Sequence, residues 1–277
     1  MKFCRFVPLD RSGSSALYGI LDTDQVREIS GAPWAEWSQS SRAWPLAGVR
    51  LVAPVDPSKI VCIGRNYAAH AAELGNEVPK EPLMFLKPPS SLVGPGEPIV
   101  LTSYSQRVEH EGELAIVIGR RCSHLRDSDD ALSYVLGYTC LNDVTARDIQ
   151  KSDVQFTRGK GFDTFCPVGP HIETDLNPSN VLVETRVNAA LRQSGSTSLM
   201  IYPCAFLVRW ISRMMPSVVT SRPPMKMAPE VGDSSPAIMR SVVVLPQPEG
   251  PRMVVSVPTG TSKLMPLTAS GAFLSVP

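Results

Sequence analysis

A run of five apolar residues at positions 114–118 constrains the fold of this chain more than any other stretch. The run is rich in β-branched residues and is bounded by Gly119, so it predicts a buried strand. Glu111 and Glu113 precede it, and because strand side chains alternate, both project from one face. Two neighbouring carboxylates at the mouth of a core strand are unfavourable unless a cation lies between them. The spacing fits a hard divalent ion, magnesium or manganese before zinc. The alternative is a strand that begins one residue later and leaves both glutamates in solvent.

Composition argues against several classes of protein. The chain has 277 residues, enough to bury a substantial core as one large domain or two small ones. Its formal net charge is +1, with no basic stripe or acidic tail, so nothing indicates a nucleic-acid partner or a membrane surface. No apolar stretch is long enough for a membrane span, and the first residues lack an apolar signal core, so we expect a cytoplasmic protein. The six cysteines form no Cys-x-x-Cys pair, which is typical of reduced, buried thiols.

The chain divides into three parts of different character. Residues 1–57 contain short strand-like runs broken by Gly, Ser and Pro, which predicts a small β-rich N-terminal region. Residues 58–215 mix strand-like runs with short helices, one predicted over 127–136 and an amphipathic one over 205–215. Helices are too few for a doubly wound sheet, so the expected class is α+β, dominated by antiparallel strands.

The third part, residues 216–277, has an unusual composition. It contains 11 of the 26 prolines in its 62 residues, and Phe273 is its only aromatic residue. Two runs rich in β-branched residues, at 242–245 and 253–257, are able to pair as short strands. The proline density and the missing aromatic anchors nevertheless favour a poorly ordered tail.

Other polar residues of the middle part are candidates for a site, and each also has an ordinary structural explanation. Asp143 follows an apolar run, where it either supplies a third carboxylate or caps the helix that begins near Thr145. His70 and Glu73 lie three apart on a short predicted helix, where they form either an oriented catalytic imidazole or a surface pair. Lys160, between two glycines, either approaches a substrate oxyanion or is a solvated loop lysine, and no phosphate-loop motif surrounds it.

Six short segments follow one another in a characteristic order. They are Ile63-Gly64-Arg65-Asn66-Tyr67-Ala68-Ala69-His70 with Glu73, Phe85-Leu86-Lys87-Pro88, His110-Glu111-Gly112-Glu113-Leu114, Asn142-Asp143-Val144-Thr145-Ala146-Arg147-Asp148, Gly159-Lys160-Gly161-Phe162-Asp163 and Cys166-Pro167. Together they closely resemble the fumarylacetoacetate hydrolase family. The resemblance is strongest to its bacterial branch of 2-hydroxyhepta-2,4-diene-1,7-dioate isomerases, acylpyruvate hydrolases and oxaloacetate decarboxylases. It covers residues 1 to about 215 and implies that family's mostly antiparallel β-roll.

The resemblance also implies a role for each candidate residue. The family's functional positions fall on the metal ligands Glu111, Glu113 and Asp143, the water-activating pair His70 and Glu73, the catalytic Lys160 and the substrate-contacting Gln150. The expected ion is Mg²⁺, with Mn²⁺ or Ca²⁺ as alternatives, and the expected assembly is a homodimer.

The implied chemistry is metal-dependent and acts on small 2-oxo acids. It is acylpyruvate C–C hydrolysis or oxaloacetate-type decarboxylation through an enolate that the metal stabilises. For hydrolysis, His70 held by Glu73 would deprotonate the attacking water. An alternative is isomerisation of 2-hydroxyhepta-2,4-diene-1,7-dioate in aromatic catabolism, which needs only the relocation of a proton.

The chain departs from the family pattern after Met215. Members of the family continue there with a segment of the form Gly-Asp-Val-Ile-x-Thr-Gly-Thr-Pro-x-Gly-Val-Gly, which supplies a substrate-binding threonine and leads into closing strands. This chain has no such segment. We therefore expect the closing strands to be missing or replaced, with unpaired strand edges near the metal and impaired catalysis. The abrupt change indicates a shifted reading frame or a fused unrelated segment, with a divergent ending as the alternative. An inactive member that retains only the metal site is therefore the remaining alternative.

Overall fold

β-Strands are the main regular secondary structure of the described chain. A computed structural model of the protein describes residues 1–11, 13–67, 79–215 and 241–245. The strands are β1 (Lys2–Pro8), β2 (Leu17–Asp22), β3 (Gln25–Ile29), β4 (Gln39–Pro45), β5 (Val49–Val52), β6 (Lys59–Gly64), β7 (Leu83–Lys87), β8 (Leu92–Val93), β9 (Val108–Glu109), β10 (Gly112–Ile118), β11 (Val135–Asn142), β12 (Thr145–Ala146), β13 (Cys166–Glu173), β14 (Leu182–Val187), β15 (Ala190–Ser196) and β16 (Ser241–Leu245). The α-helices of the described ranges are α1 (Arg147–Ser152), α2 (Thr157–Lys160) and α3 (Cys204–Met214). Single 3₁₀ turns occur at Leu9–Arg11, Leu46–Gly48, Pro89–Ser91, Ala131–Tyr134 and Thr197–Leu199.

One large sheet organises these strands. It has 12 strands in the order β4-β3-β2-β1-β13-β11-β10-β16-β6-β7, while β5 also pairs with β1 and β8 with β13. Two further pairs, β9 with β12 and β14 with β15, form small separate sheets. Within the described residues, all strand pairs are antiparallel except β8 with β13 and β16 with β6. The predicted α+β class with mostly antiparallel strands is confirmed. No helix of the described part has the length and apolarity needed to cross a membrane.

The first 57 residues share this sheet with the rest of the chain. They form β1 to β5, and β1 pairs with β13 through Lys2 opposite Glu173 and Phe3 opposite Ile172. Phe3 also packs in the same apolar cluster as Ile172. Backbone pairing and side-chain packing therefore join the N-terminal strands to the strands that carry the site.

Strand β10 separates two apolar cores, as the alternation of its side chains requires. Leu114 and Ile116 face the core that contains Ile211 of α3, which confirms the predicted amphipathic helix over 205–215. Ala115 and Val117 face the second core, on the opposite side of the sheet. Full burial of each leucine, isoleucine or valine side chain among them contributes about 1.5–3 kcal/mol to folding. Because both faces are covered, β10 is a rigid support for whatever its first residues carry.

The prediction of a helix over 127–136 is wrong. Only the 3₁₀ turn Ala131–Tyr134 forms there, and β11 begins directly after it, with Val135 opposite Ile118. The side chain of Asp130 accepts a hydrogen bond from the backbone N–H of Leu132 at 3.2 Å. Asp130, one of the acidic residues that suggested a helix start, thus caps a single turn. The β-branched Val135 that follows the turn pairs with β10 instead of continuing a helix.

A segment of the tail takes a central place in the sheet. Strand β16 runs antiparallel to β10, with Leu245 opposite Leu114, and parallel to β6, with Ser241 opposite Lys59. A continuous run of β-branched residues is typical of an interior strand, which explains this placement. The facing edges of β10 and β6, where we expected unpaired strands, are therefore paired with β16. The sequence suggested instead that 242–245 pairs with 253–257. That second run, and the remainder of the predicted poorly ordered tail at 216–240 and 246–277, lie outside the described residues.

Candidate functional site

Three carboxylates meet at the start of β10. Glu113 is the second residue of this strand, Glu111 directly precedes it, and Asp143 directly follows β11. Each offers a ligand oxygen, and these oxygens all lie within 4.8 Å of one another. Glu113 continues the face of Ala115, so strand alternation places it as predicted. The structure thus brings together the three residues that were predicted as metal ligands.

Backbone hydrogen bonds fix the spacing of these carboxylates. The N–H of Asp143 donates to the carbonyl oxygen of Glu111 at 2.8 Å. The N–H of Glu111 donates to the side-chain oxygen of Asn142 at 3.0 Å. The backbones of β10 and β11 therefore hold the acidic residues at their ends at a fixed separation.

Two buried lysines contact the acidic cluster. Lys160 Nζ donates to Glu111 Oε2 at 2.8 Å, to Asp143 Oδ2 at 2.5 Å and to the hydroxyl of Thr145 at 2.8 Å. Lys87 Nζ donates to the other oxygen of Asp143, Oδ1, at 2.6 Å. Their side chains are 3% and 0% exposed, and ammonium groups so buried are stable only when paired with charge. Asp143 therefore carries one lysine on each carboxylate oxygen.

Arg147 links the cluster to a fourth carboxylate, that of Glu109, and to Gln150. Its Nε donates to Glu109 Oε2 at 2.8 Å, and its Nη2 donates to Glu111 Oε1. Its Nη1 donates to the side-chain oxygen of Gln150 at 2.7 Å. Gln150, predicted to contact substrate, is thus held by the guanidinium that also binds Glu111.

The electrostatic environment separates the two glutamates. At Glu111 burial acts to raise the pKa, but contacts with Lys160 and Arg147 outweigh it and lower the pKa to about 2. At Glu113 burial and the charges of Asp143 and Glu111 raise the pKa well above its usual range. No hydrogen bond to the Glu113 carboxylate is present among the described residues, and the residue is only 2% exposed. A buried carboxyl group that burial and two neighbouring carboxylates keep from ionising fits a hard divalent cation such as Mg²⁺ or Mn²⁺, whose charge would favour the ionised form.

A close approach of two short helices places Lys160. Gly159 of α2 packs against α1, and a Cβ at this position would lie 2.9 Å from the backbone nitrogen of Gln150. The N–H of Lys160 donates to the carbonyl of Phe156 at 3.0 Å, which closes the single turn of α2. Glycine at 159 therefore allows α2 to deliver the next side chain into the acidic cluster.

Aromatic rings line one side of the Lys160 ammonium. Its Nζ lies 5.1 Å from the centre of the Phe85 ring. Phe156 packs edge-on against Phe85, with the ring centres 5.5 Å apart. The ammonium thus lies between carboxylates and an apolar wall, where electrostatic interactions are stronger than in water.

Sequence reasoning assigned no role to Lys87, Arg147 or Glu109. The first two lie in segments that resemble the family, and Lys87 ends an apolar strand, an unusual place for a lysine. Glu109 lies two residues before Glu111, so the alternation that paired the other glutamates also pointed to it. His70, predicted with Glu73 to activate water, belongs to residues 68–78, which lie outside the described ranges. The role of that pair stays a prediction.

Comparison with known families covers most of the chain. Residues 59–220 match the family described as fumarylacetoacetate (FAA) hydrolase C-terminal. Residues 1–54 match a second one, described as Rv2993c-like, N-terminal. The two matches adjoin near the boundary predicted from the sequence, and the first ends shortly after α3.

Two curated relatives are similar in sequence to most of this chain. Protein Rv2993c of Mycobacterium tuberculosis is 49% identical over 193 residues, which span 69% of this chain and 72% of that protein. Oxaloacetate tautomerase YisK of Bacillus subtilis is 42% identical over 197 residues, 65% of this chain and 64% of that protein.

Solved structures are similar over nearly the whole length. A 5-carboxymethyl-2-hydroxymuconate delta-isomerase from Mycobacterium smegmatis is 38% identical, with a TM-score of 0.74 over 92% of this chain and 91% of that one. A maleylpyruvate hydrolase from Sphingobium sp. SYK-6, solved with manganese(II) ion and pyruvate, is 26% identical, with a TM-score of 0.65 over 92% and 91%. The match over 59–220, the acidic triad at the start of β10 and these relatives lead to one conclusion: the chain belongs to the fumarylacetoacetate hydrolase family.

Proposed function

We propose that this chain is a metal-dependent enzyme that converts small 2-oxo acids through their enol or enolate forms. The observation that carries the proposal is the triad Glu111, Glu113 and Asp143, whose ligand oxygens converge around one point with the Lys160 ammonium beside them. Decarboxylation and keto–enol conversion of oxaloacetate-type acids are the reactions that this arrangement serves with the fewest groups. The similarity to an oxaloacetate tautomerase supports this choice.

The chain's own residues would divide the work as follows. A divalent ion held by the triad would supply a Lewis acid for the carboxylate and keto oxygens of the substrate. Lys160 would add a fixed positive charge near the oxygen that becomes negative. Burial alone would lower the pKa of its ammonium, but Asp143, Glu111 and Glu113 raise the pKa above its usual range, so the group stays charged. Phe85 would keep water from one side of this ammonium.

The charge balance of the site supports an anionic substrate. The described network contains as many carboxylates as cations, namely Glu109, Glu111, Glu113, Asp143, Lys87, Arg107, Arg147 and Lys160. With all eight groups ionised, the network is neutral, and a divalent ion would leave an excess of two positive charges. A dicarboxylate, or a 2-oxo acid in its enolate form, would neutralise that excess. We infer that substrates with two negative charges bind best.

C–C bond hydrolysis of acylpyruvates is a second candidate. It is favoured by the similarity to a maleylpyruvate hydrolase whose structure contains manganese(II) and pyruvate, itself a 2-oxo acid. Hydrolysis needs a base that activates water, the role that the family resemblance gave to His70 and Glu73. The two reactions differ in this requirement, so His70→Ala separates them: it should abolish hydrolysis and leave oxaloacetate conversion within about tenfold of the unmutated rate.

The purified chain tests the proposal directly. With Mg²⁺ or Mn²⁺ we expect conversion of oxaloacetate, followed by enol absorbance and pyruvate release, and a fall of at least about 100-fold in Glu113→Gln, which removes a ligand. Glu36→Gln, the same change at an exposed glutamate of the N-terminal region, should be neutral. Metal binding without turnover of oxaloacetate or acetylpyruvate would instead identify an inactive family member. Equal turnover by Glu113→Gln would contradict the proposed role of the triad.

A further inference from the structure

The side chain of Gln193 holds the backbone between the two glutamate ligands. Its Nε2 donates to the carbonyl oxygen of Gly112 at 2.9 Å, and its Oε1 accepts from the N–H of Gly112 at 2.9 Å. This N–H belongs to the peptide group shared with Glu111, and this carbonyl to the peptide group shared with Glu113. One side-chain amide thereby fixes both peptide planes that connect the glutamates, with the pair of hydrogen bonds that a neighbouring strand would make.

The opposite side of the same backbone is held by β11. The N–H and C=O of Glu111 bond to Asn142 and Asp143, and successive strand residues direct these groups to opposite sides. Among the described residues, strand β16 pairs with the Gln193 side of β10 from Val117 to Leu114. Gln193 therefore bonds this side of the backbone at Gly112, two residues before Leu114 and between the two glutamates of the triad.

The hairpin of β14 and β15 positions the Gln193 amide. Gln193 is 5% exposed and pairs in register with Thr185, whose hydroxyl donates to Gln193 Oε1 at 3.0 Å. A Cβ at Gly112 would collide with the Thr185 hydroxyl, so only glycine permits this approach. Val183 anchors the hairpin in the core that also contains Leu114 of β10.

We propose that Gln193 is a positioning residue of the metal site, which keeps Glu111 and Glu113 at ligand spacing without contacting metal or substrate. This inference rests on the metal-binding role proposed for the triad. Residues that orient metal ligands typically change metal affinity by 10–100-fold when they are replaced. Removing the amide should therefore weaken metal binding by a factor in that range, even when the fold survives.

Mn²⁺ titration of the full chain, followed by electron paramagnetic resonance, tests this inference. Gln193→Met keeps the volume but removes both hydrogen bonds, and we expect the Kd for Mn²⁺ to rise about 10–100-fold with a broadened spectrum of the bound ion. Thr185→Val, which removes the supporting hydroxyl, should act in the same direction and more weakly. Val26→Ala, in a separate N-terminal core, is the control for lost stability: it should lower the Tm and leave the Kd within about twofold.

Each outcome separates the inference from the proposed function. If the unmutated chain binds no Mn²⁺, the metal role of the triad fails, and the inference fails with it. If the unmutated chain binds Mn²⁺ and Gln193→Met binds it equally well, only the inference is overturned. A loss of affinity in Val26→Ala as large as in Gln193→Met would also overturn it, because general destabilisation would then explain both. Should Gln193→Met not fold, an unchanged Kd in Thr185→Val decides against the inference.

Discussion

At the scale of residues, the site depends on buried charges that are each held by a defined partner. Lys87 and Lys160 bind opposite oxygens of Asp143, and Arg147 joins Glu111 to Glu109. Removing one partner from such a pair leaves an uncompensated charge in the interior, which costs far more than the pair itself contributes. Residues that never reach the substrate are therefore as important to this site as the ligands.

Lys87→Met should destabilise the metal-free protein by about 3–5 kcal/mol, because Asp143 would lose one of its two cations. Urea unfolding followed by circular dichroism measures this change. Lys151→Met, the same substitution at an exposed position of α1, should alter the free energy of unfolding by less than about 0.5 kcal/mol. Equal effects of the two substitutions would show that the buried ion pair does not stabilise the fold.

His171 should make stability depend on pH, away from the metal site. Burial, assisted by the charge of Lys2, lowers the pKa of its imidazole. The unfolded chain then binds a proton more readily than the folded one, so stability is retained above pH 6.5 and falls as the pH decreases below it. Urea unfolding at several pH values should show a smaller loss between pH 7 and pH 5 in His171→Gln. An identical loss in both proteins would contradict the assignment.

At the scale of elements, local pattern predicted some parts and failed at others for identifiable reasons. Alternation in β10 and the amphipathic period of α3 are properties of consecutive residues, so both elements and the shared face of Glu111 and Glu113 were predicted from local pattern. Asp143, after β11, joined them only through the family resemblance. The predicted helix over 127–136 failed because pairing with β10 outweighed an acidic start signal. Gln193 and Gly112 lie 81 positions apart, and no local pattern reports that a hairpin will meet a strand at such a distance.

Strand β16 gives a prediction at this scale. Val243→Pro removes a backbone donor from a strand with neighbours on both sides, so we expect the free energy of unfolding to fall by about 1–3 kcal/mol. Val243→Ile keeps the donor and the β-branched character and serves as the control. Calorimetry or urea unfolding measures both variants. A proline variant as stable as the isoleucine variant would show that β16 contributes nothing to the sheet.

At the scale of the whole molecule, one sheet joins segments from distant parts of the sequence. Strand β13 connects the N-terminal strands to β11, and β16 connects β10 to β6.

The homodimer that the family resemblance implies stays a prediction. Light scattering of the purified chain at micromolar concentration should give twice its 30.1 kDa mass, and a monomer would contradict that expectation.

The parallel and antiparallel partners of β16 have a consequence for synthesis of the chain. Both β6 and β10 leave the ribosome long before Ser241–Leu245, so for that interval two strands rich in valine and isoleucine have exposed hydrogen-bonding edges. Such edges recruit strands from other nascent chains. Slow translation between α3 and β16 would lengthen the interval and favour aggregates, whereas a chaperone that covers the two strands would raise the yield of native protein.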